Sequence, residues 1–127
     1  MKDAEPIQSN SSNIRYLRQV EQLSHHRLRV WDKARELLRL VNRNPISDAE
    51  LRHQATKAAK SVGCNIAEGS GLDGAAKKRH YRIARGSTIE VVAAYELAID
   101  CGESVPVDEV TRLGAAIASM LTGLIRR

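Results

Sequence analysis

Residues 28–43 of this chain read LRVWDKARELLRLVNR. Apolar side chains recur in this stretch every three or four residues, which is the spacing of one face of an α-helix. The stripe consists of Val30, Trp31, Ala34, Leu37, Leu38 and Val41. Asn44 and Pro45 follow it. Because proline disfavours helical geometry in the residue before it, the first helix is predicted to end at about Arg43.

The next predicted helix lies between a clear start signal and a pair of glycines. Ser47 or Asp48 is suited to be its N-cap, and Ser47 with Glu50 has the S-x-x-E spacing of a capping box. The helix is predicted to continue to about Glu68. The sequence Gly-Ser-Gly at 69–71 then predicts a helix end in the left-handed geometry that glycine tolerates best.

Two longer segments complete the helical pattern. The third helix is predicted to run from a cap at Asp73 to about Asp100, and the fourth to begin at Pro106 and to carry an apolar stripe as far as Leu124. No segment alternates apolar and polar residues with β-branched enrichment, so no strand is predicted. Helices joined by short loops lie antiparallel to their neighbours. We therefore predict an all-α fold in one domain, an up-down-up-down antiparallel four-helix bundle over residues 28–127.

Residues 1–27 are predicted to be an N-terminal extension that is flexible or contains a short helix. Residues 1–13 are polar and offer almost nothing to bury, which is typical of a disordered tail. Tyr16, Val20 and Leu23 have a weak helical spacing, which favours a short helix over residues 14–24. The sequence shows neither the apolar core of a signal peptide nor a membrane-spanning run. These features predict a cytoplasmic protein that does not interact with membranes.

Two of the predicted helices carry more apolar surface than a single bundle can bury. Between residues 89 and 99 only Glu90, Tyr95 and Glu96 carry polar side-chain atoms, and residues 113–125 contain no charge. A helix in a monomeric bundle turns one face to water, so we expect another copy of the chain to cover these segments. The alternative is that their many alanines and glycines leave the surface only mildly apolar.

Charge is distributed unevenly along the chain, which has 20 Lys and Arg against 15 Asp and Glu. Residues 52–86 carry eight basic and two acidic side chains, whereas residues 87–111 carry six acidic side chains and no basic one. One end of the bundle is therefore predicted to be positive, and a positive surface suits RNA or DNA. The candidate phosphate contacts are Lys77, Lys78, Arg79, Arg82 and Arg85, with weaker candidates at Lys57 and Lys60. A solvated face, or salt bridges between copies, explains the same charges equally well.

The sequence contains no motif for a catalytic, cofactor or metal site. The four histidines lack the spacing of metal ligands, and no glycine-rich loop of the phosphate-binding kind occurs. Cys64 and Cys101 belong to no paired-cysteine motif and are predicted to be buried and reduced. We therefore expect a protein that is not an enzyme and that binds no cofactor and no metal ion.

One glutamate and one glycine are predicted to serve helix packing. Glu68 lies near the C-terminus of its helix, where an anion is unfavourable, so an ion pair to Lys77 or Lys78 is expected across the turn. Gly86, in the middle of the third helix, is predicted to permit close packing against residues 55–59 of the second helix.

Four short motifs resemble the bacterial four-helix-bundle proteins associated with 23S rRNA intervening sequences. They are VWDKA at 30–34, AAKSV at 58–62 preceded by Gln54, NIAEGSG at 65–71, and YRIARGS at 81–87 followed by Glu90. The resemblance implies a cytosolic homopentamer. It extends to the accessory variability determinants of diversity-generating retroelements, which implies binding of nucleic acid and a reverse transcriptase through a basic surface. The positions that match the motifs, and for which the resemblance implies a structural role, are Asn65, Glu68, Gly69, Gly86 and Ser87.

These observations leave two hypotheses for the function. The first is a non-enzymatic homo-oligomer, pentameric by the resemblance, that binds RNA or DNA with little sequence specificity. The second is a scaffold or adaptor for a protein partner, in which the charges serve subunit assembly. Binding to nucleic acid would weaken steeply with salt, whereas a scaffold would assemble without any such binding.

Overall fold

The computed structural model describes residues 22–127 of the chain. A 3-10 turn, Ser24–Arg27, leads into four α-helices, which are α1 (Arg29–Arg43), α2 (Ala49–Ser70), α3 (Gly74–Asp100) and α4 (Val107–Arg126). No β-strand occurs among these residues. Because α1 and α3 each pack against both α2 and α4, the helices close into an antiparallel bundle. The predicted four-helix bundle is confirmed, and each predicted helix boundary lies within two residues of the observed one.

The last part of the predicted N-terminal extension is packed on the bundle. Ser24 Oγ lies 3.0 Å from Ser70 Oγ at the end of α2, and the ring of His25 meets that of Trp31 edge-on, with 4.5 Å between centroids. Residues 24–27 form a 3-10 turn and not the end of an α-helix. The tail predicted for residues 1–13, and most of the short helix predicted for residues 14–24, lie outside the described residues.

The core is aliphatic and rich in alanine, as expected for a chain without phenylalanine. Small residues let the helices approach one another closely, and two glycines mark especially tight points. A Cβ atom at Gly69 would lie 2.9 Å from Cε1 of Tyr81, and one at Gly114 would lie 2.6 Å from Cγ2 of Val92. Any larger residue at either position would therefore push α3 away from its neighbour.

The turn between α2 and α3 is not the left-handed stop that the sequence predicted. Gly71 has a φ of −91°, and its N–H donates to the carbonyl of Glu68 at 3.2 Å. Gly69 lies within the helix, where the missing Cβ makes room for the ring of Tyr81. A positive φ occurs instead at Gly74, the first residue of α3, where it is 57°. The glycines at 69–71 thus mark the correct boundary for a different reason, which is close packing and not backbone handedness.

The start of α2 is stabilised from a distant part of the chain. Asp48 is the N-cap, and its side chain accepts a hydrogen bond from Leu51 N at 2.9 Å. The capping box predicted for Ser47 and Glu50 does not form between these two described residues. Instead, the carboxylate of Glu103, in the loop between α3 and α4, accepts the N–H groups of Ser47 at 2.7 Å and Asp48 at 2.9 Å. This loop supplies the acceptor that a capping box takes from within its own helix.

Candidate nucleic-acid interface

The antiparallel topology brings the starts of α1 and α3 and the ends of α2 and α4 to one end of the bundle. Four basic residues singled out from the sequence lie in the first turns of α3: Lys77, Lys78, Arg79 and Arg82. Arg79 and Arg82 are exposed, whereas the two lysines are half-buried. At 1.5 Å per residue, all four begin within about 12 Å of the start of α3. The cations predicted for α3 therefore lie together at this end.

Four arginines that the sequence analysis did not single out lie at the same end. They are Arg27 and Arg29 at the start of α1, and Arg126 and Arg127 at the end of α4. Arg85 Nη1 of α3 donates to Thr122 Oγ1 at 3.0 Å, which places Arg126 one turn further towards this end. A signal for them exists in the sequence, because the start of the first helix and the end of the last meet in an up-down-up-down bundle.

The eight side chains form what we call the basic end: Arg27, Arg29, Lys77, Lys78, Arg79, Arg82, Arg126 and Arg127. Arg27 has a partner, since its Nε donates to Gln22 Oε1 at 2.9 Å. Among residues 22–127 the other seven make no side-chain hydrogen bond or ion pair. Like charges without internal partners raise the local positive potential, which attracts a polyanion. Contacts within the described chain therefore do not explain why these cations are gathered here.

The remaining basic candidates lie outside the basic end. The side chain of Arg85 donates to α4 and so joins two helices. Lys60 precedes Ser61, whose hydroxyl lies 2.8 Å from that of Ser87, so Lys60 and Lys57 are level with the middle of α3. Both lysines are exposed. The structure thus separates these three residues from the cations at the start of α3.

The expected ion pair between Glu68 and a lysine of α3 is absent. Glu68 is exposed, and within residues 22–127 neither Lys77 nor Lys78 pairs with it. An exposed anion near a helix C-terminus is screened by water and costs little, which removes the need for a partner. The prediction is therefore wrong, and both lysines keep their charge available at the basic end.

Uncharged side chains join α2 to α3 beneath the basic end. Asn65 Nδ2 donates to the carbonyl of Ser61 at 2.9 Å, so Oδ1 of Asn65 is left to accept from His80 Nδ1 at 2.9 Å. Because an amide oxygen can only accept, Nδ1 of His80 carries a proton in this contact. Further along, the hydroxyls of Ser61 and Ser87 meet at 2.8 Å. Asn65 and Ser87, two of the motif positions, thus hold the two helices in register.

The outward face of α3 carries five small or apolar residues: Ile83, Gly86, Ile89, Ala93 and Leu97. The exposed Glu90 lies among them, and Glu96 lies beside Ile89 and Ala93. The large apolar side chains stay uncovered by the described chain, since Ile89 is 59% exposed and Leu97 51%. Gly86 is exposed too, and a Cβ atom there would meet nothing within 4 Å. The predicted packing of Gly86 against residues 55–59 is therefore wrong. A glycine in mid-helix costs about 1 kcal/mol relative to alanine, and no contact in residues 22–127 offsets that cost.

The exposed surface of α4 is less apolar than the sequence predicted. Its large apolar side chains turn into the core, and within the uncharged segment 113–125 the exposed residues are Ala115, Ser119 and Gly123. Ala115 also lines a groove of about 220 Å³ between α4 and α3, together with Ile89 and Ala93. The expected excess of apolar surface is therefore present on α3, whereas α4 contributes small side chains beside it.

Among residues 22–127, three titratable groups have a shifted pKa, and each shift has burial as its main cause. Burial raises the pKa of Tyr81, and it raises the pKa of Tyr95 to about 12. Burial, and secondly the neighbouring His26, lowers the pKa of His25. None of these groups belongs to the basic end. In the described part of the chain no three His, Cys, Asp or Glu side chains come close enough together to hold a metal ion.

The structure also shows the exposure of the two cysteines and the apolar character of the helices. Cys64 and Cys101 are unpaired, but both are exposed, so the prediction that they are buried is wrong. Cys64 lies in α2, and Cys101 is the C-cap of α3. Of the helices within residues 22–127, none combines the length and the apolar character that a bilayer crossing requires.

These features define a small α-helical bundle protein with one strongly basic end and an uncovered apolar face. The profile of the 23S rRNA-intervening sequence protein family matches residues 26–123, a range that includes nearly all of the four helices. The chain belongs to this family, and the resemblance carried by the four motifs is confirmed. A search of curated proteins gave no match.

Proposed function

We propose that this protein is a non-enzymatic homo-oligomer of the cytoplasm that binds RNA or DNA by the phosphates, with little sequence specificity. The observation that carries the proposal is the basic end, where seven of eight cationic side chains have no partner among residues 22–127. Contacts from lysine and arginine to phosphate are independent of sequence, because every nucleotide presents the same group. Arg79 and Arg82 are the central contacts, and the arginines of α1 and α4 extend the surface.

The family description names intervening sequences of 23S rRNA, but a protein encoded within such a sequence need not bind ribosomes. The proposal therefore rests on the charges of the basic end and specifies the phosphate chain of RNA or DNA. Duplexes and single strands both present that phosphate chain, so the first experiment uses both as binding probes.

Self-association supports the same function, and the outward face of α3 is our proposed contact between copies. Burying Ile89 and Leu97 against another copy would be favourable at about 25 cal/mol per Å² of apolar surface. The same contact would offset the cost of Gly86, because a glycine lets a neighbouring helix approach closely. Five is the number of copies that the family resemblance implies. Several basic ends acting on one nucleic acid would raise the overall affinity through effective concentration.

Fluorescence anisotropy with a labelled single-stranded RNA and a labelled duplex DNA, at several salt concentrations, tests the binding. Affinity is expected to fall steeply as salt rises, because bound phosphates release their counterions. Arg79→Ala combined with Arg82→Ala should make the log–log slope shallower by about 1.5, from the loss of two phosphate contacts. The matched control is Lys57→Ala with Lys60→Ala, which removes the same charge outside the basic end. Binding of neither probe, or equal losses in both double variants, contradicts the proposal.

Light scattering of the purified protein tests the assembly. Ile89→Glu and Leu97→Glu each place a charge on the outward face of α3, so both should lower the measured mass towards that of one chain. Gln54→Glu, at an exposed position of α2, adds the same charge elsewhere and should leave the mass unchanged. A wild-type mass of one chain in dilute ordinary buffer would rule out self-association.

The uncovered face of α3 also supports a second candidate function, a scaffold that binds a protein partner. In that case the apolar face is the docking surface, and the charges serve assembly alone. The two candidate functions predict different results in the anisotropy experiment. A protein that assembles normally but binds neither nucleic acid at low salt would favour the scaffold.

A further inference from the structure

A groove between α1 and α4 lies within the basic end and has an apolar floor. Its volume of about 360 Å³ falls at the small end of the range for ligand pockets. The lining includes four apolar side chains, Leu28, Val30, Met120 and Leu124, and three arginines, Arg27, Arg29 and Arg127. Val30 is buried in the core and the other three apolar side chains are partly buried against it, so the floor is firmly supported.

This combination goes beyond what neutralising phosphates requires. Phosphate contacts need only cations, whereas an open apolar floor has a cost in water unless something covers it. A flat, weakly polar ring joined to a phosphate fits both parts of the groove, and an unstacked nucleobase is such a group. The groove has no aromatic residue, but the guanidinium plane of an arginine also stacks on bases.

The arginines leave their phosphate-binding atoms available. Arg27 uses its Nε to donate to Gln22 Oε1 at 2.9 Å, which orients the side chain and leaves both terminal nitrogens for a ligand. Arg29 and Arg127 make no side-chain hydrogen bond or ion pair within residues 22–127. Each guanidinium can therefore donate to a phosphate in the forked geometry that arginine favours.

We propose that the α1/α4 groove binds an unstacked base of single-stranded RNA or DNA, with its arginines on the neighbouring phosphates. The inference rests on the proposed function and adds to it the form of nucleic acid that the protein prefers. In a duplex the bases are paired and stacked, so their faces cannot reach the floor and only phosphate contacts remain. The groove thus gives single strands a base contact that a duplex cannot make.

Gly123 offers a way to fill the groove without disturbing the fold. It lines the groove and is exposed, and a Cβ atom there would meet nothing within 4 Å. Gly123→Leu places an aliphatic side chain against the floor and leaves every cation in place. Because leucine forms helices better than glycine, α4 should be at least as stable in the variant, which circular dichroism would verify.

The assay compares the affinity for three labelled probes: a short single-stranded RNA, a blunt duplex of the same length, and an abasic single strand with the same phosphates. Gly123→Leu is expected to weaken binding of the RNA single strand about ten-fold, the scale of one base contact. The other two probes should bind as they do to the wild type. Gln54→Leu, which adds an exposed leucine on α2, is the control and should change none of the three affinities.

Each other outcome identifies which claim has failed. If the wild type binds the abasic strand as tightly as the RNA strand, or if Gly123→Leu binds the RNA strand normally, the groove does not hold a base. Phosphate binding by the basic end would still stand in either case. If the wild type binds none of the three probes, the proposed function fails, and the inference fails with it.

Discussion

The two ends of the bundle use their charged groups differently. At the end where α2 begins, Glu103 accepts the N–H groups of Ser47 and Asp48. There too, Arg52 donates to the carbonyls of Ile46 at 2.9 Å and Ser47 at 2.8 Å. At the basic end, seven of the eight cations have no such partner among the described residues. One set of charges thus secures the chain's own backbone, and the other is left for a ligand, a difference that net charge along the sequence does not reveal.

The largest effect expected from this comparison is on folding stability. Glu103→Ala leaves two backbone N–H groups without their charged acceptor, which we expect to lower the free energy of unfolding by about 2 kcal/mol. Urea denaturation followed by circular dichroism measures the loss. Glu36→Ala removes an exposed carboxylate of α1 that pairs with Lys33 at 3.4 Å, and it should change stability by less than about 0.5 kcal/mol. Nucleic-acid affinity should be unchanged in both variants, and equal stability of the two would contradict the anchoring role of Glu103.

At the basic end we expect substitutions to lower nucleic-acid affinity and to leave stability almost unchanged. Arg126→Ala with Arg127→Ala removes two cations that no described side chain holds, so stability should change by less than about 0.5 kcal/mol. Affinity for single-stranded RNA at low salt should fall about ten-fold, or about 1.4 kcal/mol. The control, Arg39→Ala with Arg112→Ala, removes two exposed arginines elsewhere and should have a smaller effect. Equal affinity losses would show that total charge, and not its gathering at one end, governs binding.

At the end of the bundle where α2 begins, we expect the folded state to lose stability at alkaline pH. Tyr95 OH donates to the carbonyl of Asn44 at 2.7 Å, and burial raises its pKa from 10.0 to about 12. The folded state therefore holds the phenolic proton more tightly than the unfolded chain does. Stability that is present below pH 10 should be lost as the pH rises from 10 to about 12.

Tyr95→Phe tests this prediction by thermal unfolding at a series of pH values. At pH 7 the variant should lose about 1 kcal/mol, the net value of one hydrogen bond. Between pH 10 and 12 its stability should fall less steeply than that of the wild type, with the remaining fall due to Tyr81, whose pKa burial also raises. Parallel pH profiles for the two proteins would contradict the assignment to Tyr95.

The smallest expected effect is at the turn that precedes α1. Burial lowers the pKa of His25, so the folded state favours the neutral imidazole, and the packing of this ring on Trp31 should weaken as the pH falls below 6.5. Trp31 is the only tryptophan, so its fluorescence reports this contact directly. A fluorescence titration carried below pH 6.5 should show a transition that His25→Gln removes. The same transition in the variant would assign it to another group.

Helix positions followed from the sequence because their signals are local. Pro45 and Pro106 act on their immediate neighbours, and the side chain of Asp48 caps α2 within one turn. Asp73 is the N-cap residue of α3, as predicted, but its side chain makes no capping hydrogen bond. The sequence did not predict which face each helix turns to its neighbours or which side chains form hydrogen bonds, because both depend on residues far away along the chain. Gly86 illustrates this, since its position in mid-helix was evident but the face that it occupies was not. Glu103 illustrates it too, since nothing near Ser47 in the sequence identifies a carboxylate 56 residues away as its partner.

The candidate site also has one part that the sequence predicted and another that only the structure revealed. The cations of α3 follow one another along the chain, so their clustering was predictable from the sequence. Arg27 and Arg127 also carry a positive charge, but they join the basic end only because the bundle returns its last helix beside its first. The apolar floor between them needed the structure as well, because Leu28, which precedes α1, and Met120 of α4 line the same groove although they are far apart along the chain.

By itself, the sequence determined four helices, their boundaries and the uneven charge along the chain, since periodicity, capping and charge depend on residues within a few turns of one another. The tertiary structure alone decided which cations share an end, which carboxylate secures a loop, and which apolar side chains stay uncovered. The physical reason is that burial and hydrogen bonding depend on distance in space, and packing the helices brings together residues that the chain keeps far apart.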